Sequence, residues 1–336
     1  MIPYLLPFEG VSPAFDGEPA YAGPRSAVLG RVCVGKGAWL GAKSVIRGDG
    51  HEVAAGESLH LGPRSTVHIA HKLYPAQIGQ QVTIGSNAVV HACTVGDDCT
   101  IEDDVVILDG SVVEAGAVIA AGATVFQQSR LAGGYLYAGA PAKPVRPLLP
   151  GEARMLGAAI RARGDETPAF DGLPHLRNDG EVFVAGTARL AGRVDLDDGA
   201  NIWYGCDFHG GGGGIAIGPA ANVQDNSILR AIGAGIRIGA GSTIGHNVQL
   251  ADCTIGERSL IGIGSRVAAG TVIGDDVLLG AGATTTGGQV LQAGWFFGGR
   301  PARAIAPMDE KKRDLIVRTI EHYRDYARAF QDAGQD

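Results

Sequence analysis

The chain has 336 residues, a length that allows about two domains, and glycine is its outlier: 53 residues, roughly one in six against a usual share of about 7%. The 45% hydrophobic content supports a buried core and excludes a disordered glycine-rich chain, and glycine does not recur every third residue, which excludes collagen. A net charge of −7, with both signs spread along the chain, argues against nucleic acid or an anionic membrane as the main partner.

Residues 1–10 are broken by Pro3 and Pro7 and do not read as a secretory signal. No apolar run has the length of a membrane span, so the expected location is cytoplasmic. Cys33, Cys93, Cys99, Cys206 and Cys253 form no Cys-x-x-Cys pair and read as small buried apolar residues.

A six-residue period then explains the glycine. An aliphatic residue recurs at Ile78, Ile84 and Val90, takes one five-residue step to Val95, and continues at Ile101, Ile107, Val113, Ile119 and Val125. A small residue usually follows it, as at Gly79, Gly85, Gly96 and Ala120. The second half repeats the series at Ile238, Ile244, Leu250, Ile255, Ile261, Val267, Ile273 and Leu279, with its five-residue step at the same place. Strand alternation has a period of two and a helix 3.6, so neither accounts for this. The period predicts a coil of very short strands, one inward aliphatic residue per strand, with glycine or alanine at crowded corners. Each rung buries its side chains only against neighbouring rungs, so many must stack.

The halves also repeat each other outside the coil. The Pro-Ala-Phe-Asp-Gly of 13–17 returns at 168–172, and the segment 137–142 returns at 297–302. The predicted organisation is a first β-helix domain at 1–149, a linker with a short helix at 150–167, a second β-helix domain at 168–308 and a helix packed on the coil at 309–336. Residues 152–163 suit the linker helix. Asp309 suits the N-cap of the last one, whose apolar stripe runs Ile316, Ile320, Tyr323, Ala327 and Phe330. The run 210–214 lacks the Lys-Ser/Thr signature of a phosphate loop and reads as a flexible turn.

Three local motifs ride on these repeats. Arg47-Gly48-Asp49, His68 and the stretch 82–91 ending in His91 lie in the first half. Asn222-Val223-Gln224-Asp225 and Ile244-Gly245-His246 lie in the second. The combination resembles the γ-class carbonic anhydrase family, and the resemblance covers nearly the whole chain twice. It implies an all-β fold of two tandem left-handed parallel β-helix domains. It also implies three histidine ligands, of which the first and third come from one subunit and the second from its neighbour. The first half departs at the second ligand, where Ser86 stands, and at the Asn-x-Gln-Asp motif, replaced by His60-Leu61-Gly62-Pro63. The second half is inverted: Arg230 replaces the first ligand, Ala251 the third, and His209-Gly210-Gly211 the Arg-Gly-Asp. Together the halves keep one set, His68, His91 and His246. Random decay of two copies is not expected to leave complementary remnants, so the expectation is one composite metal site at the interface of the halves, within or between chains.

Three neutral imidazoles leave an open position on Zn²⁺, with Fe²⁺ or Co²⁺ as substitutes. The resemblance implies metal-activated water attacking CO₂ to give bicarbonate. Gln224 would orient water or substrate, while Arg47, Asp49 and Asp225 would lock the interface and aim the ligands. Glu52 and His209 are candidate proton shuttles. His71 reads as a spare ligand or, in preference, a surface residue beside the site, and His51, His60, His175, His322 and, if it is no shuttle, His209 as structural or solvated. Arg230 argues against metal at its own position and suits an anion. Alternatives stay open: a repurposed metalloenzyme acting on a small organic substrate, a non-catalytic scaffold, or a CoA-dependent acyltransferase with His91 as base. The implied assembly is a pseudo-oligomer of the halves or a homo-oligomer.

Overall fold

A computed structural model describes residues 2–165, the backbone of 174–178, and residues 180–333. The repeat member at 168–172 and the side chain of His175 lie outside the described residues. The chain divides into two compact units, with the break at residue 168.

In the first unit most strands have two or three residues, and a tight turn follows each. Among the described residues the strands form parallel sheets of twelve and eight strands. The six-residue period maps onto them directly. Val90 pairs with Val67 on one side and Ile107 on the other, and Ile84 pairs with Leu61 and Ile101. These aliphatic side chains are fully buried in one core column after another. The turns between them place residues such as Asn87, Asp98 and Asp104 at positive φ, where Asn and Asp are the best tolerated non-glycine residues. The small residue after each inward aliphatic has a steric cause. A Cβ on Gly79 would lie 2.2 Å from Asp97 Oδ1 and 2.7 Å from the Asp97 backbone nitrogen of the next rung. The last rung ends in an antiparallel pair, Tyr135–Ala138 with Lys143–Pro147.

The helix expected after this rung is α1 (Glu152–Arg161), bounded by the positive-φ residues Gly151 and Gly164. It lies on the first unit's rungs: Thr100 Oγ1 donates to the Ala153 carbonyl at 2.8 Å, and Arg161 Nε donates to Thr83 Oγ1 at 2.8 Å.

The second unit repeats the plan, with parallel sheets of ten and eight strands among the described residues. Its buried column includes Ile238, Ile244, Leu250, Ile255, Ile261, Val267, Ile273 and Leu279. It too ends in an antiparallel pair, Trp295–Gly298 with Arg303–Pro307. Helix α2 (Glu310–Ala333) follows. Asp309 caps it as expected, accepting the Lys312 N–H at 2.9 Å. Ile316, Tyr323, Tyr326, Ala327 and Phe330 make its buried stripe, and Trp203 stacks edge-on against Tyr323 and Phe330.

Two sequence readings are corrected here. Residues 210–214 are not a turn but the middle of the long strand Asp207–Ile217. Glycine is needed there for close backbone approach, since a Cβ on Gly210 would lie 2.0 Å from the Arg193 carbonyl oxygen. Cys33 is exposed, because it occupies an outward position of Ala27–Val34 between the buried Val32 and Val34; the other four cysteines are buried. No helix among the described residues is long and apolar enough to cross a membrane.

Candidate functional site

The first unit builds a pair of imidazoles by register. Strand Val45–Ala55 pairs with Thr66–His68, which pairs with Val89–His91, so Arg47, His68 and His91 fall on one ladder in successive rungs. The residues before them, Val67 and Val90, point into the core, so the histidines point away from it. His68 Nδ1 lies 3.2 Å from His91 Nε2. The other nitrogen of each ring faces a carboxylate: His68 Nε2 is 2.8 Å from Asp49 Oδ1, and His91 Nδ1 is 2.6 Å from Asp109 Oδ1. Asp49 also accepts from Arg47 Nη1 at 2.6 Å. Arg47 and Asp49 are both 0% exposed, so this ion pair is dry and lends His68 a fixed orientation.

With each carboxylate accepting the ring N–H, the two facing nitrogens carry lone pairs. Lone pairs at that distance repel unless a proton or a metal ion stands between them. The separation also matches two ligands of a tetrahedral ion, about 3.3 Å apart for Zn–N bonds of about 2.0–2.1 Å. The donor set, with a carboxylate behind each imidazole, therefore fits a divalent metal. Asp109 is a residue that the sequence reading missed. It precedes Gly110 and looks like a turn residue, and only the coil register brings it to His91.

The second unit holds the remaining imidazole. His246 is 1% exposed. Its Nδ1 lies 3.1 Å from Asp225 Oδ2 but outside hydrogen-bond geometry, and Asp225 Oδ1 accepts the Tyr204 N–H at 3.0 Å. Its Nε2 lies 3.2 Å from the Tyr323 hydroxyl, supplied by α2. Tyr323 is the second residue missed: its place in an apolar stripe hid its polar end. Gln224 is 5% exposed, and its amide donates to Asn222 Oδ1 at 3.3 Å. Asn222 in turn donates to Thr243 Oγ1 at 2.8 Å.

The two half-sites thus differ in composition. The first unit clusters His68, His91, Arg47 and Asp49, and the second clusters Gln224, Asp225 and His246. Ser86 and Ala251, at the lost ligand positions, are half-buried, and Arg230 is exposed. Of the proposed shuttles, Glu52 is exposed, with a carboxylate oxygen 3.3 Å from His51 Nδ1, and His209 is half-buried. His71 is half-buried on a turn.

The family profile described as Bacterial transferase hexapeptide (six repeats) matches residues 92–127 and 252–287. A second, described as Hexapeptide repeat of succinyl-transferase, matches 75–108. Gamma carbonic anhydrase 1, mitochondrial, of Arabidopsis thaliana is 38% identical over 167 residues, covering 48% of this chain and 60% of that protein. Protein YrdA of Escherichia coli is 38% identical over 150 residues, covering 43% of this chain and 81% of that protein. The chain belongs to the γ-carbonic-anhydrase-like hexapeptide-repeat family. It spans between 55% and 64% of the length of the three Arabidopsis γ carbonic anhydrases it matches. A solved chain from Desulfovibrio desulfuricans, assigned as an acetyltransferase, has a TM-score of 0.51 at 13% identity, covering 93% of this chain and 81% of that one. At that identity the likeness concerns the hexapeptide-repeat fold, which this γ-carbonic-anhydrase-like chain runs through twice.

Proposed function

We propose that the protein is a metal-dependent hydratase that converts CO₂ and water to bicarbonate and a proton at one composite site per chain. In this reading His68 and His91 of the first unit supply two ligands and His246 of the second supplies the third. The carrying observation is complementarity. The first unit keeps two imidazoles, each backed by a carboxylate, and the second keeps one imidazole backed by Asp225, with the Gln224 amide beside it in sequence. Neither unit holds the other's groups at the equivalent rungs.

The ion is Zn²⁺ in this reading, with Fe²⁺ or Co²⁺ able to take its place. When bound, such an ion lowers the pKa of a coordinated water from 15.7 to about 7. The chain's own residues do the rest. Asp49 and Asp109 hold the His68 and His91 tautomers with the inner nitrogens bare, and Asp225 orients His246. Arg47 neutralises Asp49, so that its charge does not draw the proton back. Gln224 offers an amide donor and acceptor to a small planar substrate. The protein works on CO₂ and bicarbonate in the cytoplasm, as a pseudo-oligomer of its halves or as a homo-oligomer.

The test is metal content per chain after anaerobic purification, with His246→Ala beside the wild type, followed by CO₂ hydration. About one equivalent in the wild type, lost in a folded variant and accompanied by hydration, supports the reading. A folded wild type that stays metal-free after zinc or iron is supplied overturns it. Metal without CO₂ hydration transfers the site to an organic substrate.

A further inference from the structure

We infer that the face of the second unit that lost its imidazole pair has become a binding pocket for a small organic carboxylate. Two neighbouring ladders changed together. In the first unit one ladder reads Arg47, His68, His91; at the equivalent rungs of the second unit it reads His209, Arg230, Ala251. Two residues earlier along each strand, the first unit's ladder reads Thr66, Val89, Val106, Thr124. The second unit's reads Ile228, Gln249, Arg266, Thr284. A column of valines and threonines has gained a carboxamide and a guanidinium, beside a column that exchanged an imidazole for a guanidinium and another for a methyl group. Simple loss of a metal site explains alanine at position 251. It does not explain two arginines and a glutamine arriving on one face.

The space left by Ala251 is a cavity of about 180 Å³, lined by Arg230, Arg266, Gln249, Ala251 and Thr284 among others, with no acidic residue on its walls. A water occupies about 30 Å³ of liquid, so the cavity takes a molecule of a few carbon atoms. Among the described residues, the Arg230 guanidinium and the Gln249 amide have no ion-pair or hydrogen-bond partner. Guanidinium forks match the planar, two-oxygen geometry of a carboxylate. The Ile228 and Ala251 side chains on its walls suit an apolar stem, which an inorganic ion lacks. The occupant is therefore an organic carboxylate of two to four carbons.

The experiment is titration calorimetry of the full chain with acetate, succinate and inorganic phosphate at constant ionic strength, chloride serving as the balancing anion. One carboxylate per chain should bind saturably, with a Kd of about 1 mM or lower. Arg230→Ala and Arg266→Ala should each weaken it by about tenfold or more, whereas Arg237→Ala, on the exposed side of another strand, should leave it unchanged. Arg230→Gln keeps the stem length and serves if the alanine variant misfolds. Metal content should be the same in all variants, which separates this pocket from the proposed metal site. Absence of saturable carboxylate binding overturns the proposal, as does binding that survives both arginine variants. Phosphate binding tighter than either carboxylate overturns the assignment of ligand class.

Discussion

His68 Nδ1 and His91 Nε2 face each other at 3.2 Å, one rung apart on the same parallel ladder. The Cα register alone places the two side chains side by side, but the carboxylates behind them decide which nitrogens face inward. The 2.6 Å contact between Asp109 and His91 Nδ1 favours the N–H on that side and leaves the lone pair on Nε2. Asp109→Asn can still hydrogen-bond His91, but it no longer favours the N–H on that side. The variant is expected to fold normally and to lose between about 10- and 100-fold in metal affinity. Competition with a chromophoric chelator measures this; unchanged affinity would show that Asp109 does not fix the tautomer.

Arg47 tests the structural part of the same cluster. Its ion pair with Asp49 has no exposure on either side chain. Removing one partner of a buried pair strands the other's charge, at a cost of about 3–5 kcal/mol. Arg47→Met should therefore lower unfolding free energy by that order, while the double variant Arg47→Met, Asp49→Leu should recover a large part of the loss. Urea unfolding of both variants decides the matter. Equal stability of the single variant and the wild type would remove the pair from the account of the site.

How legible all this was in the sequence follows from where each signal is written. The coil is written at every rung: an inward aliphatic every sixth position and a small residue after it have one steric explanation, and Gly79 against Asp97 shows it. Arg47, Asp49, Gln224 and Asp225 lie in contiguous motifs and could be singled out. Asp109 and Tyr323 could not, because each reaches its histidine only through the coil register or through docking of α2, and each has a commonplace local role as well. The run 210–214 was misread for a related reason. Five glycines in series look like a flexible link, yet close backbone packing between rungs asks for the same residue type. Cys33 failed because the inward–outward alternation of a longer strand, and not the residue's apolar character, decides its exposure.

His60 gives the fold a pH dependence away from the metal residues. It stacks on Trp39 at 4.2 Å and is 5% exposed. Burial, and secondarily the Arg161 charge, lower its pKa to about 4. The unfolded chain takes up the proton near its ordinary value of about 6.5 and the folded chain does not. Stability from this residue is therefore complete above about pH 6.5, falls as pH drops, and levels off below about pH 4, a change on the order of 3 kcal/mol. His60→Phe retains the stacking and lacks the proton. The slope of unfolding free energy between pH 6.5 and 4 should be shallower in the variant, and identical slopes would contradict the assignment.

Tyr323 bears on how the second half-site accepts an ion. Its hydroxyl stands 3.2 Å from His246 Nε2, while Asp225 stands at Nδ1. The Asp225 charge beside Nδ1 favours the N–H on that side, which leaves the lone pair on Nε2, where the Tyr323 hydroxyl competes for it. One neutral hydrogen bond contributes about 0.5–1.5 kcal/mol, a factor of up to about tenfold in binding. The ring itself is packed against Trp203 and Tyr326 and belongs to the core of the helix seat. Tyr323→Phe preserves that packing and removes only the competitor. Metal affinity should rise by up to about tenfold, with little change in thermal stability of the metal-free protein. Tyr323→Ala should instead destabilise the α2 seat by about 3–5 kcal/mol through lost aromatic packing. If Tyr323→Phe binds metal more weakly than the wild type, the hydroxyl assists the ion and does not compete with it, and the donor nitrogen of His246 has to be reassigned to Nδ1.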